Sequence, residues 1–152
     1  AGGFINISQN AKTVVFVGTF TAGALQVEAV DGHLHILHEG GARKLVREVE
    51  HRTFSGDYAN KRGQDVLYIT ERCVFRLDEG GLELIEIAPG VDLERDVLAH
   101  MDFVPAISPE LKLMDARIFA DAPMVIREEI VSGVRPALET AECAKSTAAV
   151  AA

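Results

Sequence analysis

Short, densely apolar runs alternate with turn-forming clusters along this chain, a rhythm that predicts strands joined by tight connections. The longest run, residues 13–20 (Thr-Val-Val-Phe-Val-Gly-Thr-Phe), is almost continuously apolar and β-branched. It predicts a strand of a parallel sheet, covered on both faces. Residues 25–30 alternate apolar and polar instead, the period of a half-exposed strand. Asp31-Gly32 suits a type I′ turn, and residues 33–38 read as the return strand, ended by Glu39-Gly40-Gly41. Residues 45–51 alternate in part and predict another strand. Residues 55–63 predict a short helical turn ending at Gly63, a usual C-cap residue. Strands are then expected over 65–70, 71–77 and 82–87, the last two joined by Asp78-Glu79-Gly80-Gly81.

Helical signals are fewer. Asp92 is a candidate N-cap for a helix over 93–99, where Leu93 and Val97 stand four apart on one stripe. Ser108-Pro109-Glu110 combines a cap residue, a proline at the first helical position and an acid in the first turn, predicting a short helix to about Met114. From Ser132 onward no core-forming period is left, and this segment is expected to be frayed, swapped or loosely packed. The chain therefore divides into a domain over 1–120 and a C-terminal tail over 121–152.

Ahead of the first strand lies Gly2-Gly3-Phe4-Ile5-Asn6-Ile7-Ser8-Gln9-Asn10-Ala11-Lys12. It reads as a glycine loop followed by a short polar segment. Paired glycines let the backbone approach a ligand closely with N–H groups facing it, although the same pair also marks an ordinary turn. The chain has no initial Met and opens on the residue before this pair. It is therefore expected to be a piece of a larger enzyme: a C-terminal part, a proteolytic fragment or one half of a nicked protein.

Composition narrows the classes. At 152 residues, with 48% hydrophobic and 25% charged residues, the chain has one globular domain's worth of material. A formal charge of −8 argues against nucleic acid and anionic membrane surfaces, both of which need a basic footprint. No apolar run approaches the ~18 residues of a membrane span. Cys73 lies in a strand-like run and Cys143 in an Ala-rich tail, so no mutual disulfide is expected and a reduced, cytoplasmic protein is the simpler reading. Cys73 itself reads as a small buried hydrophobe rather than a nucleophile. His33 and His35 share one strand face while His38 takes the other. A zinc site there would need a third ligand, and a solvated hairpin face is the reading adopted.

The string GGFINISQNAKTVVFVGTFTAG resembles the corresponding stretch of the family I coenzyme A transferases, in the homomeric acetate/propionate (short-chain acyl) branch. Further pieces fit in order: Phe54-Ser55-Gly56, residues 66–75 (VLYITERCVF), residues 87–93 (IAPGVDL), residues 98–103 (LAHMDF) and residues 107–114 (ISPELKLM). The likeness runs over residues 1–119, and the tail departs from it. It implies an α/β fold, an open, mainly parallel sheet of the CoA-transferase type with added antiparallel hairpins. It also implies transfer of coenzyme A from a short-chain acyl-CoA to a free carboxylic acid. In that family a glutamate attacks the thioester, and a glutamyl-CoA thioester forms by way of an acyl-glutamyl anhydride. An acyl-CoA hydrolase of the same fold and a non-catalytic CoA-binding fragment are the alternatives.

The family's nucleophilic glutamate precedes the glycine pair, so no position of this chain matches it. Glu71, in the family's Thr-Glu-Arg motif, reads as structural through pairing with Arg72, and Glu86 as solvated. Carried over residue by residue, the CoA or substrate loop comprises Gly2, Gly3, Asn6 and Lys12. Related ketone-body enzymes carry Asp where this chain has Asn6, and an exposed lysine before a strand is an ordinary feature. The implied partners are the N-terminal part of the same enzyme and further copies in an oligomer. No permanent cofactor or metal is implied. Coenzyme A thioester enters as substrate, and the chain alone is expected to be inactive.

Overall fold

A computed structural model describes residues 2–134. In chain order the elements are α1 (Gly2–Asn10), β1 (Thr13–Val17), β2 (Thr21–Ala22), β3 (Gln26–Val30), β4 (His33–His38), β5 (Ala42–Arg43), α2 (Gly56–Lys61), β6 (Asp65–Ile69), β7 (Cys73–Asp78) and β8 (Gly81–Ile87). A single π-helical turn, Leu93–Val97, and a 3-10 turn, Leu98–His100, precede β9 (Ala106–Leu113). A second 3-10 turn, Ala116–Phe119, leads to α3 (Arg127–Ser132).

The central sheet has the order β1-β6-β7-β8-β9, with parallel pairing at both flanks (β1 with β6, β8 with β9) and antiparallel pairing between. The β3–β4 hairpin and the β2–β5 pair stand apart as small antiparallel sheets. The fold is the open α/β sheet with added hairpins that the sequence implies. Its core gathers Phe20, Leu34, Phe75, Leu84, Val97 and Met114 between the sheet, the hairpin and the irregular helix.

Local rules explain several elements. Asp31 and Gly32 adopt φ values of 50° and 80°, both left-handed, as the I′ turn requires. Ser55 caps α2 by accepting from the Tyr58 N–H at 3.2 Å, and Gly63, at φ 65°, closes it. Asp92 caps the turn at 93–97 through the Arg95 N–H at 2.7 Å.

Four expectations are corrected. Residues 2–10 form a helix rather than a loop. Glycine disfavours helix by about 1 kcal/mol relative to alanine, so tertiary contacts must supply the difference. Phe4 packs on Phe16 at 6.2 Å, and the buried Gln64 amide donates to the C=O groups of Ser8 and Ala11 at the helix end. Residues 106–113 form a strand, not a helix. Leu111 and Leu113 join the core edge, and Pro109 falls where the ladder with β8 is interrupted. Residues 45–51 contain no strand: Leu45 alone reaches the core, while Val49 is exposed. The strand expected from residue 71 begins at Cys73, because a tight turn bonds the Thr70 N–H to the Cys73 C=O at 2.9 Å.

Two further expectations change in degree. β1 is half covered, since Val15 and Val17 remain exposed. Glu86 is half-buried rather than solvated, and burial raises its carboxyl pKa against the opposing pull of Lys112. In the tail region, α3 is fastened to the body by the Arg117–Glu129 ion pair. Most of the segment expected to fray, residues 135–152, lies outside the described residues.

Arg72 is fully buried and connects four parts of the chain. Its guanidinium pairs with Glu39 after β4 at 2.7 Å and with Glu71 in the β6–β7 turn at 2.7 Å. It donates to the Asp96 C=O at 2.8 Å and lies 4.7 Å from the centre of the Phe20 ring. Glu39 also accepts from the Thr21 hydroxyl and the Gly40 N–H. A Cβ at Gly40 would stand 2.6 Å from the Ala22 C=O oxygen, so only glycine closes this corner. Removing one partner of a buried ion pair strands the others, at about 3–5 kcal/mol. Arg72→Met is therefore expected to lower unfolding stability by that order in urea titration. Burial would raise the Glu39 carboxyl, but Arg72, Thr21 and Gly40 override it and hold the pKa at about 2, below its ordinary 4.5. A depressed folded-state pKa contributes stability above the unfolded value and loses it as pH falls through the folded one. The stability gap between wild type and Glu39→Gln should accordingly narrow as pH drops from 4.5 towards 2, read by thermal melts.

Candidate functional site

The expected site residues all sit on α1 or just beyond it. Aromatic packing holds this helix to the sheet: Phe16 of β1 meets Phe4 of α1, stacks on Tyr68 of β6 at 5.0 Å and meets Phe54 edge-on at 5.2 Å. Gly2 and Gly3 occupy the exposed first turn, and a Cβ on either would meet nothing within 4 Å. The first N–H groups of a helix have no intrahelical acceptor, so they face outward at this bare end. Asn6 lies one turn on, where its C=O and side-chain oxygen accept from the Asn10 amide at 2.7 and 3.0 Å. Lys12 is exposed beyond the other end of α1, and its backbone C=O accepts from the Asp65 N–H at 3.0 Å.

The structure thus brings Gly2 and Gly3 together and sets Lys12 apart. At 1.5 Å per residue, roughly 13 Å of helix separates the glycines from the lysine. A small anion cannot touch both ends, whereas an extended ligand can run along the helix.

Three concavities surround these elements. A groove of about 550 Å³ runs between α1 (Ile5, Gln9), the 47–57 connection with Arg47 and Arg52, and the β7–β8 turn. Its charges are mixed, because Glu48, Asp57 and Glu79 face the two arginines' groove. A smaller crevice of about 260 Å³ opens at the carboxyl ends of the parallel strands β1 and β6. Ligands of open α/β sheets bind at this end of the strands. Its walls are Phe16, Phe20, Tyr68 and Phe75, and Lys44 reaches in to donate to the Thr19 C=O at 2.5 Å. A third hollow, of about 470 Å³, lies by Glu39, His35 and His100 on the far side of the buried ion cluster.

Lys44 and Leu45 escaped the sequence reading because residues 45–51 look like a strand and nothing local marks them as pocket walls. Glu71, by contrast, does what its motif suggests. It pairs with Arg72 and accepts the Phe20 N–H at 2.8 Å, which leaves it a structural carboxylate. Among the described residues no group of three or more His, Cys, Asp or Glu side chains is placed to hold a metal ion, and no helix is long and apolar enough to cross a membrane.

A scan against models of known protein families finds no match. Curated relatives are informative. The chain is 60% identical over 123 residues to an acetate CoA-transferase, YdiF, of Escherichia coli K12, and 55% identical over 120 residues to a caffeate CoA-transferase of Acetobacterium woodii. These matches cover 81% and 79% of this chain but only 23% of each relative's length. Among solved structures, acyl-CoA transferase YdiF of E. coli O157:H7 superposes with a TM-score of 0.78 at 60% identity, over 80% of this chain and 24% of that one. It has been determined as an apoenzyme and as a thioester complex with CoA.

The architecture is an open α/β sheet with a glycine-led helix at its flank. Over about four fifths of its length the chain is similar to CoA-transferases, and it spans about a quarter of theirs.

Cys73 is fully buried on β7, and burial pushes its thiol up to about 12. The thiolate is the reactive form. In a Cys143→Ser variant, Cys73 is expected to resist a thiol-specific label at mildly alkaline pH while the chain is folded. It should label at once in denaturant.

Proposed function

We propose that this chain forms part of an enzyme that moves coenzyme A between a short-chain acyl-CoA and a free carboxylic acid. Its contribution is the wall of the active centre that carries Gly2 and Gly3, while the nucleophilic glutamate lies on the remaining polypeptide. The observation that carries the reading is the bare glycine pair at the exposed start of α1, in a chain 60% identical to a protein solved as a thioester complex with CoA.

In the proposed chemistry the glutamate carboxylate adds to the thioester carbonyl, and the resulting oxyanion expels CoA thiolate to leave an acyl-glutamyl anhydride. The thiolate then adds to the glutamyl carbonyl and displaces the acid as carboxylate, giving glutamyl-CoA. The acceptor acid reverses both steps. No net proton, electron or water is consumed. Each tetrahedral oxyanion needs preorganised N–H donors, and those of Gly2 and Gly3 fit that role because no side chain stands before them. Coenzyme A is long enough to lie along α1 from the glycines towards Lys12, whose ammonium can meet one of its phosphates; Asn6 lies between. The aromatic crevice beside Lys44 suits the apolar acyl group of a short acid. The working assembly joins this chain to the rest of the enzyme, in an oligomer that acts in the cytoplasm.

Gly3→Val in the complete enzyme separates this role from folding. Within this chain a valine Cβ there meets no neighbour, so the variant is expected to fold, which a melt like that of wild type would show. By standing between the oxyanion and the Gly3 N–H, the valine side chain should lower kcat by about 10²–10³-fold with acetyl-CoA and a short acid. Wild-type turnover would remove the glycine pair from the mechanism. Free CoA released at full rate without any acceptor acid would identify a hydrolase instead.

A further inference from the structure

The crevice at the carboxyl ends of β1 and β6 contains a single charge. Of the described residues that line it, Lys44 alone is ionised, and its neighbours there are aromatic and aliphatic side chains with two threonines. None of the ion pairs among the described residues includes Lys44. Arg43, one residue earlier, is instead paired with Asp102 at 2.7 Å. An ammonium has three N–H donors. Lys44 directs two of them at Thr19, to its C=O at 2.5 Å and its hydroxyl at 3.3 Å. One donor and the whole positive charge are left uncompensated. The threonines offer no competing donor, since Thr19 donates to the Thr21 C=O at 2.7 Å and Thr70 to the Cys73 C=O at 2.9 Å. Position 18 keeps the ammonium accessible: a Cβ on Gly18 would stand 3.3 Å from the Lys44 Nζ.

We propose that Lys44 binds the carboxylate of the free acid, whose apolar tail lies in the crevice. The inference rests on the CoA-transfer reading and names the residue that holds the second substrate. The acid is the reactant whose reacting group is an anion, whereas an acyl-CoA presents a neutral carbonyl. A carboxylate brought against apolar walls loses hydration, and a paired cation offsets that loss. The crevice also stands at the right end of the sheet. Only Ala11 and Lys12 link α1 to β1, and Phe4 near the helix start packs on Phe16 near the strand end at 6.2 Å. The chain therefore folds back on itself, and the glycine pair lies at the same end of β1 as the crevice, of which Phe16 is a wall. With one carboxylate oxygen on Lys44, the other is free to add to the glutamyl-CoA carbonyl. A C–O bond forms, the C–S bond then breaks, and the electron pair leaves with the CoA thiolate. Lys44 keeps its proton throughout, so its part is binding and orientation.

The test measures both substrates separately in the complete enzyme, with acetyl-CoA as donor and propionate as acceptor. Losing one charge-assisted hydrogen bond in Lys44→Met should raise the KM for propionate about 10- to 100-fold and leave that for acetyl-CoA unchanged. Lys44→Arg restores the charge and should recover most of the loss. Discharge of the glutamyl-CoA adduct by hydroxylamine, an uncharged nucleophile, should be as fast in Lys44→Met as in wild type. Lys44 is exposed and bonds only to Thr19 among the described residues, so the variant should melt like wild type. Lys44→Gln keeps a donor for Thr19 without the charge, and it gives the same comparison if the methionine variant fails to fold.

Two results would overturn this role while leaving the transferase reading intact. One is a wild-type KM for propionate in both uncharged variants. The other is a loss that does not single out the acid, with both KM values rising together or hydroxylamine discharge slowing in step with propionate discharge. Lys44 would then support the crevice or meet a group of the remaining polypeptide. A wild-type enzyme that forms no CoA adduct from acetyl-CoA would bring down the reading and the acid site together.

Discussion

The buried guanidinium of Arg72 is the constraint on which the arrangement of this chain depends. Taking a charge out of water costs several kcal/mol unless it is fully paired, and here two carboxylates, a backbone carbonyl and an aromatic face complete the shell. Those groups come from the end of the β3–β4 hairpin, the β6–β7 turn, the irregular helix and the segment after β1. None can move far without leaving a buried charge exposed or unpaired. The hairpin is thereby fixed to the sheet, and the carboxyl ends of β1 and β6 are held at the crevice beside Lys44.

Function, on the proposed reading, is divided between this rigid body and another polypeptide. The described residues offer backbone donors, an apolar crevice and a positioned helix. Glu71 and Glu39 neutralise Arg72, and Glu86 is half-buried beside Lys112. An active centre shared between two bodies must exclude water to protect an anhydride. Exposed apolar residues on α1 and β1 are what such a closure would cover.

Elements governed by neighbours in sequence were legible. The Asp31-Gly32 turn, the Gly63 end of α2 and the Asp92 cap follow from local chemistry and are found as expected. Elements decided at long range were not. The amide that ends α1 comes from Gln64, 56 residues from Ser8, and no local pattern reveals that Gly2 and Gly3 will be helical. Ser108-Pro109-Glu110 obeys the rules of a helix start, yet the ladder with β8 wins. Only half of the ion cluster could be read, since Glu71 adjoins Arg72 while Glu39 lies 33 residues away. The candidate site residues were named through resemblance rather than pattern, and Lys44 had no signal at all.

The central claim is that this chain shapes a CoA-transfer site whose covalent intermediate forms elsewhere. The most direct measurement is intact mass after the assembled chain and remainder are incubated with acyl-CoA and quenched. The account predicts a CoA adduct on the remaining polypeptide, discharged by a carboxylic acid, and unmodified mass for this chain. A CoA adduct on this chain would contradict it.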